Sequence, residues 1–493
     1  MMEKYILTID QGTTSTRAIL FNQQGKIVHS AFKDVKCIYP HPSYVETDAL
    51  ELWVSVLAVV NEVLIKANLT LESLDSVGIT NQRETTIVWD KTTGMPVYNA
   101  IVWQSRQSAS YCEELESKKD LIFKKTGLTI NPYFSASKIR YILDHIKDGQ
   151  ARAERGELLF GTVDSWLIYK LTNGRVHATD ISNASRTLLF NIFTKIWDDE
   201  LLKLFNIPSA MVPKVNPSSY VFGYTEFLKT AVPIAGVAGD QQASLFGHLC
   251  LDKGESKSTY GTGCFMLMNI GNKPLLAEGG LLTTIAWQIG NKVTYAFEGS
   301  VFVGGAAVQW LRDEMCLIKT AKHSEKEASK AVKNDGVYVV PAFVGLGTPY
   351  WDDKARGAVF GLTRGTSKAE FVRATLESIA YQTKDVFGVM ESASKIDLKR
   401  LQVDGGPTAN GYLMQFQADI LATQIRVAKI VETTSLGVFF LAGLQTGFFT
   451  SINEIKKLKY EGTIYRPKME EAMRVSLYNG WKRAIKATQM FSE

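Results

Sequence analysis

The cysteines show no pairing pattern. There are five in 493 residues, Cys37, Cys112, Cys250, Cys264 and Cys316. They are far apart, odd in number and without Cys-x-x-Cys spacing. This argues against a disulfide framework or a thiolate zinc site and fits a reducing compartment. The six histidines (29, 41, 145, 177, 248, 323) are equally scattered and form no metal motif. Long apolar runs are also missing. The longest, near Leu436–Leu444, falls well short of the roughly 20 residues a membrane helix needs. The N-terminal apolar run stops at Asp10, too early for a signal peptide. A soluble cytoplasmic protein without an integral membrane segment is expected. Neither sign of charge dominates: the net charge is only +5, with Lys and Arg interleaved among Asp and Glu. No basic stripe points to nucleic acid, and Lys456-Lys457-Leu458-Lys459 reads as a solvated face. No low-complexity segment, long linker or Walker-type Gly-x-x-x-x-Gly-Lys-Ser/Thr loop occurs.

What is present is an ordinary globular composition, 45% hydrophobic and 21% charged. The length is too great for one compact core, so two large domains are expected. The chain opens on a strand, Lys4–Ile9, followed by Asp10-Gln11-Gly12-Thr13-Thr14-Ser15-Thr16-Arg17 and a second strand, Ala18–Phe21. A glycine turn rich in N–H and O–H donors can wrap a phosphate, and an adjacent carboxylate can organise a metal ion. Strands and helices then alternate. Asp48 is placed to cap a helix carrying Leu50, Trp53, Val54, Leu57, Val60 and Leu64. Val77–Thr80 reads as a strand ending at Asn81-Gln82-Arg83-Glu84, and Thr85–Trp89 as the next. Pro233–Ala238 reads as a strand ending at Gly239-Asp240, with a short helix over 241–249.

The second half opens as the first did. Ser256–Tyr260 and Cys264–Ile270 are strand-like around Gly261-Thr262-Gly263, which suggests an old duplication with a boundary near residues 245–255. The expected domains are 1–250 and 251–493. Ser367-Lys368-Ala369-Glu370 has the form of a capping box. Leu401–Val403 reads as a strand ending at Asp404-Gly405-Gly406, with Pro407 suited to the first turn of a helix. Four glycine or acidic turns therefore lie at strand ends, where ligands gather in α/β folds. Either hairpin alone reads as a structural turn; two of them with an Asp-Gly-Gly strand end form a stronger signal.

Several segments carry a resemblance that spans nearly the whole chain. They are Asp10–Arg17, Gly78–Thr86, Asn99–Gln104, Asn131–Phe134, Ala238–Gln242, Tyr260–Met266, Gly345–Trp351 and Val403–Gly406. Together they resemble the glycerol kinases, members of the sugar-kinase family that shares its fold with actin and the heat-shock chaperone ATPases. The resemblance implies two duplicated actin-like (ribonuclease H-like) α/β domains around a ligand cleft. The implied activity is ATP-dependent phosphorylation of glycerol to sn-glycerol 3-phosphate, feeding glycerol catabolism and glycerolipid synthesis. It places Arg83, Glu84, Tyr133, Asp240 and Gln241 on the glycerol hydroxyls, with Trp103 and Phe265 against its carbon backbone. Asp240 is the implied general base, at a strand end just before a helix. Thr13, Thr14, Ser15 and Arg17 are implied to contact phosphates from the first hairpin and Thr262 from the second. Gly305 and Gln309 would line the nucleotide cleft, Gly406 and Asn410 would approach the adenosine, and Asp10 would hold Mg²⁺ through waters.

The expected partners are glycerol and ATP, without nucleic acid, and the expected assembly is a homodimer or homotetramer. Two departures stand out. Pro407-Thr408-Ala409-Asn410-Gly411 stands where the resemblance implies Ala-Val and a second Asn. The short Tyr224–Val232 segment holds neither a regulatory histidine nor a Gly/Arg effector loop, so control of those kinds is not expected. The rival readings are a kinase for another polyol or sugar, a partner-moving ATPase, and a catalytically silent paralogue.

Overall fold

The computed structural model describes residues 3–226, 230–277, 279–331, 336–398, 400–430, 432–458 and 462–492. Residues 227–229 and Lys459, which belong to the segments read above at 224–232 and 456–459, lie outside the described residues.

Thirteen strands form one mixed sheet. In chain order they are β1 (Tyr5–Gln11), β2 (Ser15–Phe21), β3 (Ile27–Asp34), β4 (Leu74–Asn81), β5 (Ser219–Tyr224), β6 (Pro233–Gly239), β7 (Ser256–Tyr260), β8 (Cys264–Gly271), β9 (Leu282–Ile289), β10 (Lys292–Val301), β11 (Arg400–Asp404), β12 (Gln424–Val427) and β13 (Thr463–Tyr465). Across the sheet the order is β13-β12-β11-β7-β8-β10-β9-β5-β6-β4-β1-β2-β3. The duplication is visible in this order. In the first half, β3-β2-β1 are antiparallel, and β4 and β6 continue parallel to β1. In the second, β10-β8-β7 are antiparallel, and β11 and β12 continue parallel to β7. The halves meet where Ser219 of β5 pairs with Ile289 of β9.

The opening strands are longer than their apolar runs suggested. Asp10 pairs with Arg17 and Gln11 with Thr16, so the first turn narrows to residues 12–14 and Asp10 is a strand residue. The second hairpin, β7–β8, turns at 261–263 as expected, with Tyr260 opposite Cys264. Helices packed on the sheet cover the inner parallel strands, so nearly every residue of β4 and β6 is buried.

Six helices matter to the site. They are α1 (Ala49–Ala67), α2 (Asp240–Gly247), α3 (Gly305–Asp313), α4 (Lys368–Ser394), α5 (Gly411–Leu421) and α6 (Thr433–Thr446). The Asp48 carboxylate accepts the Leu50 N–H and caps α1, which buries Leu52, Val56, Val59, Val60 and Val63 against the first-half strands. The capping box at Ser367 and Glu370 starts α4. Pro407 lies in a 3₁₀ turn, Gly406–Ala409, and Asn410 caps α5 through the Leu413 N–H. The apolar run at 436–444 lies within α6, and among the described residues no helix is long and apolar enough to cross a membrane.

α2 and α6 are exchanged between the halves. α6, from the second half of the sequence, packs on β1, β4, β6 and α2, whereas α2 packs also on β7, β8 and β9. The crossing is backbone against backbone. A Cβ on Gly437 would lie 1.9 Å from the Ala243 carbonyl oxygen, and one on Gly247 2.0 Å from that of Thr433. Only hydrogen fits there.

Candidate active site

The strand ends at Gln11, Asn81, Gly239, Tyr260 and Asp404 place the charged and glycine-rich segments near one another. Residues 81–86 leave β4 through a strained turn, with Glu84 at φ 62°. Positive φ is uncommon for a residue other than glycine. That turn buries Arg83 and Glu84, whose side chains are 3% and 1% exposed.

Arg83 is held from three sides. Its Nε lies 3.2 Å from Asp240 Oδ1, its Nη1 and Nη2 donate to Glu298, and Nη2 lies 3.4 Å from the Tyr133 hydroxyl. Arg186 completes the cluster, donating from Nε to Glu84 (2.6 Å) and from Nη2 to Glu298 (2.8 Å). Burial alone would raise the Glu298 pKa, but the two guanidiniums reverse that and hold it at about 2. Burial raises Glu84 despite the same two arginines.

Asp240 is the open member of this group, with its side chain 32% exposed. It is the first residue of α2, Gly239 being the N-cap, and its Oδ1 accepts the Gln241 N–H at 2.7 Å. Burial raises its pKa against the pull of Arg83 and Lys257, which suits a group that must accept a proton. Gln241 is half-buried, and its Oε1 accepts from the buried Lys257 amine, which burial pushes down to about 8.

Three aromatic rings form a wall beside the carboxylate. Trp103 meets Tyr133 edge-on at 5.6 Å and Phe265 at 6.4 Å, measured between ring centroids. Phe265 comes from β8, so the wall is assembled from both halves. Trp103 Nε1 donates to Thr13 Oγ1 at 2.9 Å, which ties the wall to the first hairpin. Gln82 braces that hairpin from beneath, donating to Gln11 Oε1 and to the Gly12 carbonyl at 3.1 Å each.

Thr14 is exposed and Ser15 half-buried at the hairpin tip. Arg17 sits opposite Asp10, and its guanidinium is taken by Glu432 in two 2.9 Å bonds, a partner that lies far away in sequence. No hydrogen bond or ion pair reaches the half-buried Asp10 carboxylate among the described residues. Burial and the nearby Asp240 and Glu432 carboxylates raise its pKa to about 7, against Arg17.

On the other side, the second hairpin is clamped by the start of α3. The Gly304 and Ala306 N–H groups donate to the Thr262 carbonyl, and the Gly305 N–H to that of Gly261. Thr262 itself is exposed. Gly305 is thus a close-packing position as well: a Cβ there would meet Gly261 oxygen at 2.6 Å and Pro407 Cγ at 3.1 Å. Gly405 takes φ 96°, with Tyr260 oxygen 2.0 Å from where a Cβ would sit, so the Asp-Gly-Gly turn nests on the second hairpin. Gly406 is exposed and faces open space. Gln309 is exposed on α3, and no hydrogen bond joins it to the other candidates. Asn410 is half-buried and bonded to the Leu413 N–H and Ser324. Beneath this turn Asp404 accepts from Thr433, Ser244 (3.2 Å) and His248 (2.9 Å). Burial opposes its ionisation, but His248, Lys257 and Thr433 hold its carboxyl well below the usual range.

Two models of the FGGY family of carbohydrate kinases match the chain. The N-terminal domain model covers residues 5–247 and the C-terminal domain model residues 257–446. The glycerol kinase of Halalkalibacterium halodurans is 57% identical, with both chains covered in full. That of Thermus thermophilus is 58% identical, over 99% of this chain and all of its own. The chain belongs to the glycerol kinases of the FGGY family. A solved structure, Plasmodium falciparum glycerol kinase with ADP, superposes with a TM-score of 0.93 at 36% identity, covering 99% of this chain and 98% of that one. A gluconate kinase from Lactobacillus acidophilus superposes at 0.88 with 22% identity over 98% of each chain, a likeness that shows the fold.

Three buried residues lie outside the motifs above. Arg186 bonds Glu84, Glu298 bonds Arg83 and Lys257 bonds Gln241. A visible signal existed for Glu298, the sole charge in the otherwise apolar or uncharged run Val293–Val301.

Among the described residues no cluster of three His, Cys, Asp or Glu is arranged to hold a metal. Mg²⁺ binds through one or two carboxylates, substrate phosphates and waters. The Asp10 carboxylate, without a hydrogen bond or ion pair among the described residues and repelled by Asp240 and Glu432, fits a divalent cation between protein and phosphates.

Proposed function

We propose that this chain transfers the γ-phosphoryl group of ATP to glycerol, giving sn-glycerol 3-phosphate. The observation that carries the reading is one open carboxylate, Asp240, paired with a buried Arg83 that also reaches Tyr133 of the aromatic wall, and close enough to Asp10 of the first hairpin to repel it. Glycerol is small, neutral and hydroxylated. Arg83, Glu84, Tyr133, Asp240 and Gln241 are the groups assigned to its hydroxyls, and Trp103 and Phe265 exclude water from its carbon face. Charge-assisted hydrogen bonds contribute about 1.5–3 kcal/mol each, so a site built this way rejects analogues that lack the hydroxyls.

Asp240 accepts the proton of the attacking hydroxyl, and Arg83 fixes the orientation of that carboxylate. Thr13, Thr14, Ser15 and Thr262 are assigned to the phosphates, with Arg17 reaching them from its pairing with Glu432. Gly305, Gln309, Gly406 and Asn410 are assigned to the nucleotide. Asp10 would hold Mg²⁺, which when bound neutralises charge on the transferring phosphates. Residues 1–250 and 251–493 act as the two jaws of the cleft, and the working assembly is a homodimer or homotetramer in the cytoplasm.

A coupled assay of ADP release with and without glycerol, and with and without Mg²⁺, tests this. Turnover should require both. Dihydroxyacetone, xylulose and ribulose form the comparison panel, and a much higher kcat/KM for a pentulose overturns the assignment to glycerol. ATP turnover independent of any polyol overturns the kinase reading itself.

A further inference from the structure

We propose that Glu298 and Arg186 are positioning residues for glycerol, through which the second half of the chain fixes the groups that the first half presents to the substrate. The inference rests on glycerol being the acceptor. Both side chains are 0% exposed. They cannot touch a bound molecule, so any effect on it passes through their partners.

Those partners are substrate groups. Glu298 lies on β10 of the second half and takes both η nitrogens of Arg83. This leaves Nε to face Asp240. Without Glu298 the guanidinium loses its one bidentate anchor and can turn towards Asp240 or Glu84. Arg186 does the same for the other side. It holds Glu84 at 2.6 Å, and its guanidinium lies over the rings of Tyr133 (5.7 Å) and Phe134 (5.2 Å). Small errors of placement matter in such sites: a shift of about 1 Å can cost about 10²-fold in rate.

Charge arithmetic adds a specificity role. Arg83 and Arg186 carry two positive charges and Glu84 and Glu298 two negative ones, so the buried cluster is neutral. Asp240 is then the uncompensated carboxylate on the glycerol side, with the Lys257 ammonium near it. A neutral polyol enters this pocket without a charge penalty. A carboxylate analogue of the same size, such as glycerate, meets like charge. Charge–charge energies are large where water is excluded, so changing the cluster by one charge should move the two ligands differently. A pair retained only for stability would gain little, because apolar residues of equal volume commonly serve as well.

The test uses the full chain with Glu298→Gln, Glu298→Asp and Arg186→Met. For each, glycerol KM, glycerate inhibition and ADP affinity are measured. Glu298→Gln makes the cluster net positive. Glycerol KM should rise about tenfold or more, while glycerate inhibition tightens and ADP affinity stays within twofold. Arg186→Met makes the cluster net negative, so KM should also rise but glycerate inhibition should weaken. Glu298→Asp keeps the charge and withdraws the anchor. It should raise KM without changing the ratio of glycerate to glycerol affinity, and it decides the matter if the Gln variant fails to bind ADP. Glycerol KM within twofold of wild type in Glu298→Asp, or glycerate inhibition moving the same way in the two charge-changing variants, overturns the proposal. Failure of the glycerol reading shows separately, as absence of glycerol-dependent turnover in the wild-type chain.

Discussion

Replacing Asp240 by Asn tests the chemistry most directly, because the substitution alters charge and basicity and almost nothing else. The amide oxygen can still accept the Gln241 N–H, a 2.7 Å bond in the wild type, and still face Arg83 Nε at 3.2 Å. Arg83 keeps its Glu298 anchor. The ground state therefore loses only the difference between a charged and a neutral hydrogen bond, about 1 kcal/mol. The attacking hydroxyl, however, loses its proton acceptor. General-base catalysis contributes about 10²–10⁴-fold, or about 2.7–5.4 kcal/mol at about 1.36 kcal/mol per tenfold. Among the described residues the hydrogen bond and ion pair of Asp240 go to Gln241 and Arg83 and not to either hairpin, so nucleotide binding should persist. The neighbouring Asp10 should ionise more readily once the like charge is gone. The expected signature is kcat lower by at least about 10²-fold, with ATP affinity unchanged or slightly tighter in Mg²⁺. Steady-state kinetics with titration calorimetry for nucleotide would read both quantities. A kcat within tenfold of wild type would show that positioning and charge neutralisation suffice, as a loose transition state allows, and would refute the assignment of Asp240 as base.

Asp10→Asn should stabilise the chain free of nucleotide and Mg²⁺ while abolishing activity. The folded-state pKa of about 7 exceeds the ordinary 3.8, so the folded state binds this proton more tightly and ionising it opposes folding. The gain should be absent near pH 4, grow as pH rises towards 7 and level off above; calorimetry should show a Tm about 1–2 °C higher at pH 7.5, and a lower Tm there contradicts the argument. In Gly239→Ala the new Cβ would lie 2.8 Å from Arg83 Cγ and 2.9 Å from Cδ, so Arg83 must move. Glycerol KM should rise about tenfold, with stability down by about 1–3 kcal/mol in urea titrations. Trp103→Phe keeps an aromatic wall but removes the 2.9 Å bond to Thr13. A loss of about 1 kcal/mol corresponds to kcat/KM reduced about fivefold, and an unchanged value would mean that the hairpin does not depend on this tie.

The hairpins, the Gly-Asp strand end at 239–240 and the Asp-Gly-Gly turn were legible in the sequence because each is a local pattern at a strand end, whereas Trp103, Tyr133 and Phe265 were reached through the family resemblance alone. Residues 256–260 show this: a glycine turn at 261–263 and the apolar strand returning from Cys264 suffice to place β7. Strand lengths were less legible. Asp10, Gln11 and Ser15–Arg17 are polar yet belong to the ladder, because the buried partner β4 extends to Asn81 and pairs Asp10 with Thr80. Arg186 and Glu298 were missed for a different reason. Each is stabilised by charges more than a hundred positions away, and no local period records such a partner. The engagement of Arg17 by Glu432 and of Gln241 by Lys257 is equally non-local. Side chains read as free donors to a ligand arrive already paired.

The exchange of α2 and α6 makes the duplicated halves interdependent. Phe439 of α6 stacks on Phe21 of β2 at 4.8 Å, and Phe246 of α2 meets Trp287 of β9 at 5.0 Å. A chain severed between residues 250 and 251 would yield one piece with Ile6, Ile19 and Phe21 uncovered and another with Leu267, Ala286 and Trp287 uncovered. Each piece would hold the helix the other lacks. Such fragments are matched for complementation and poorly suited to life alone, because each carries the cover for the other's apolar face.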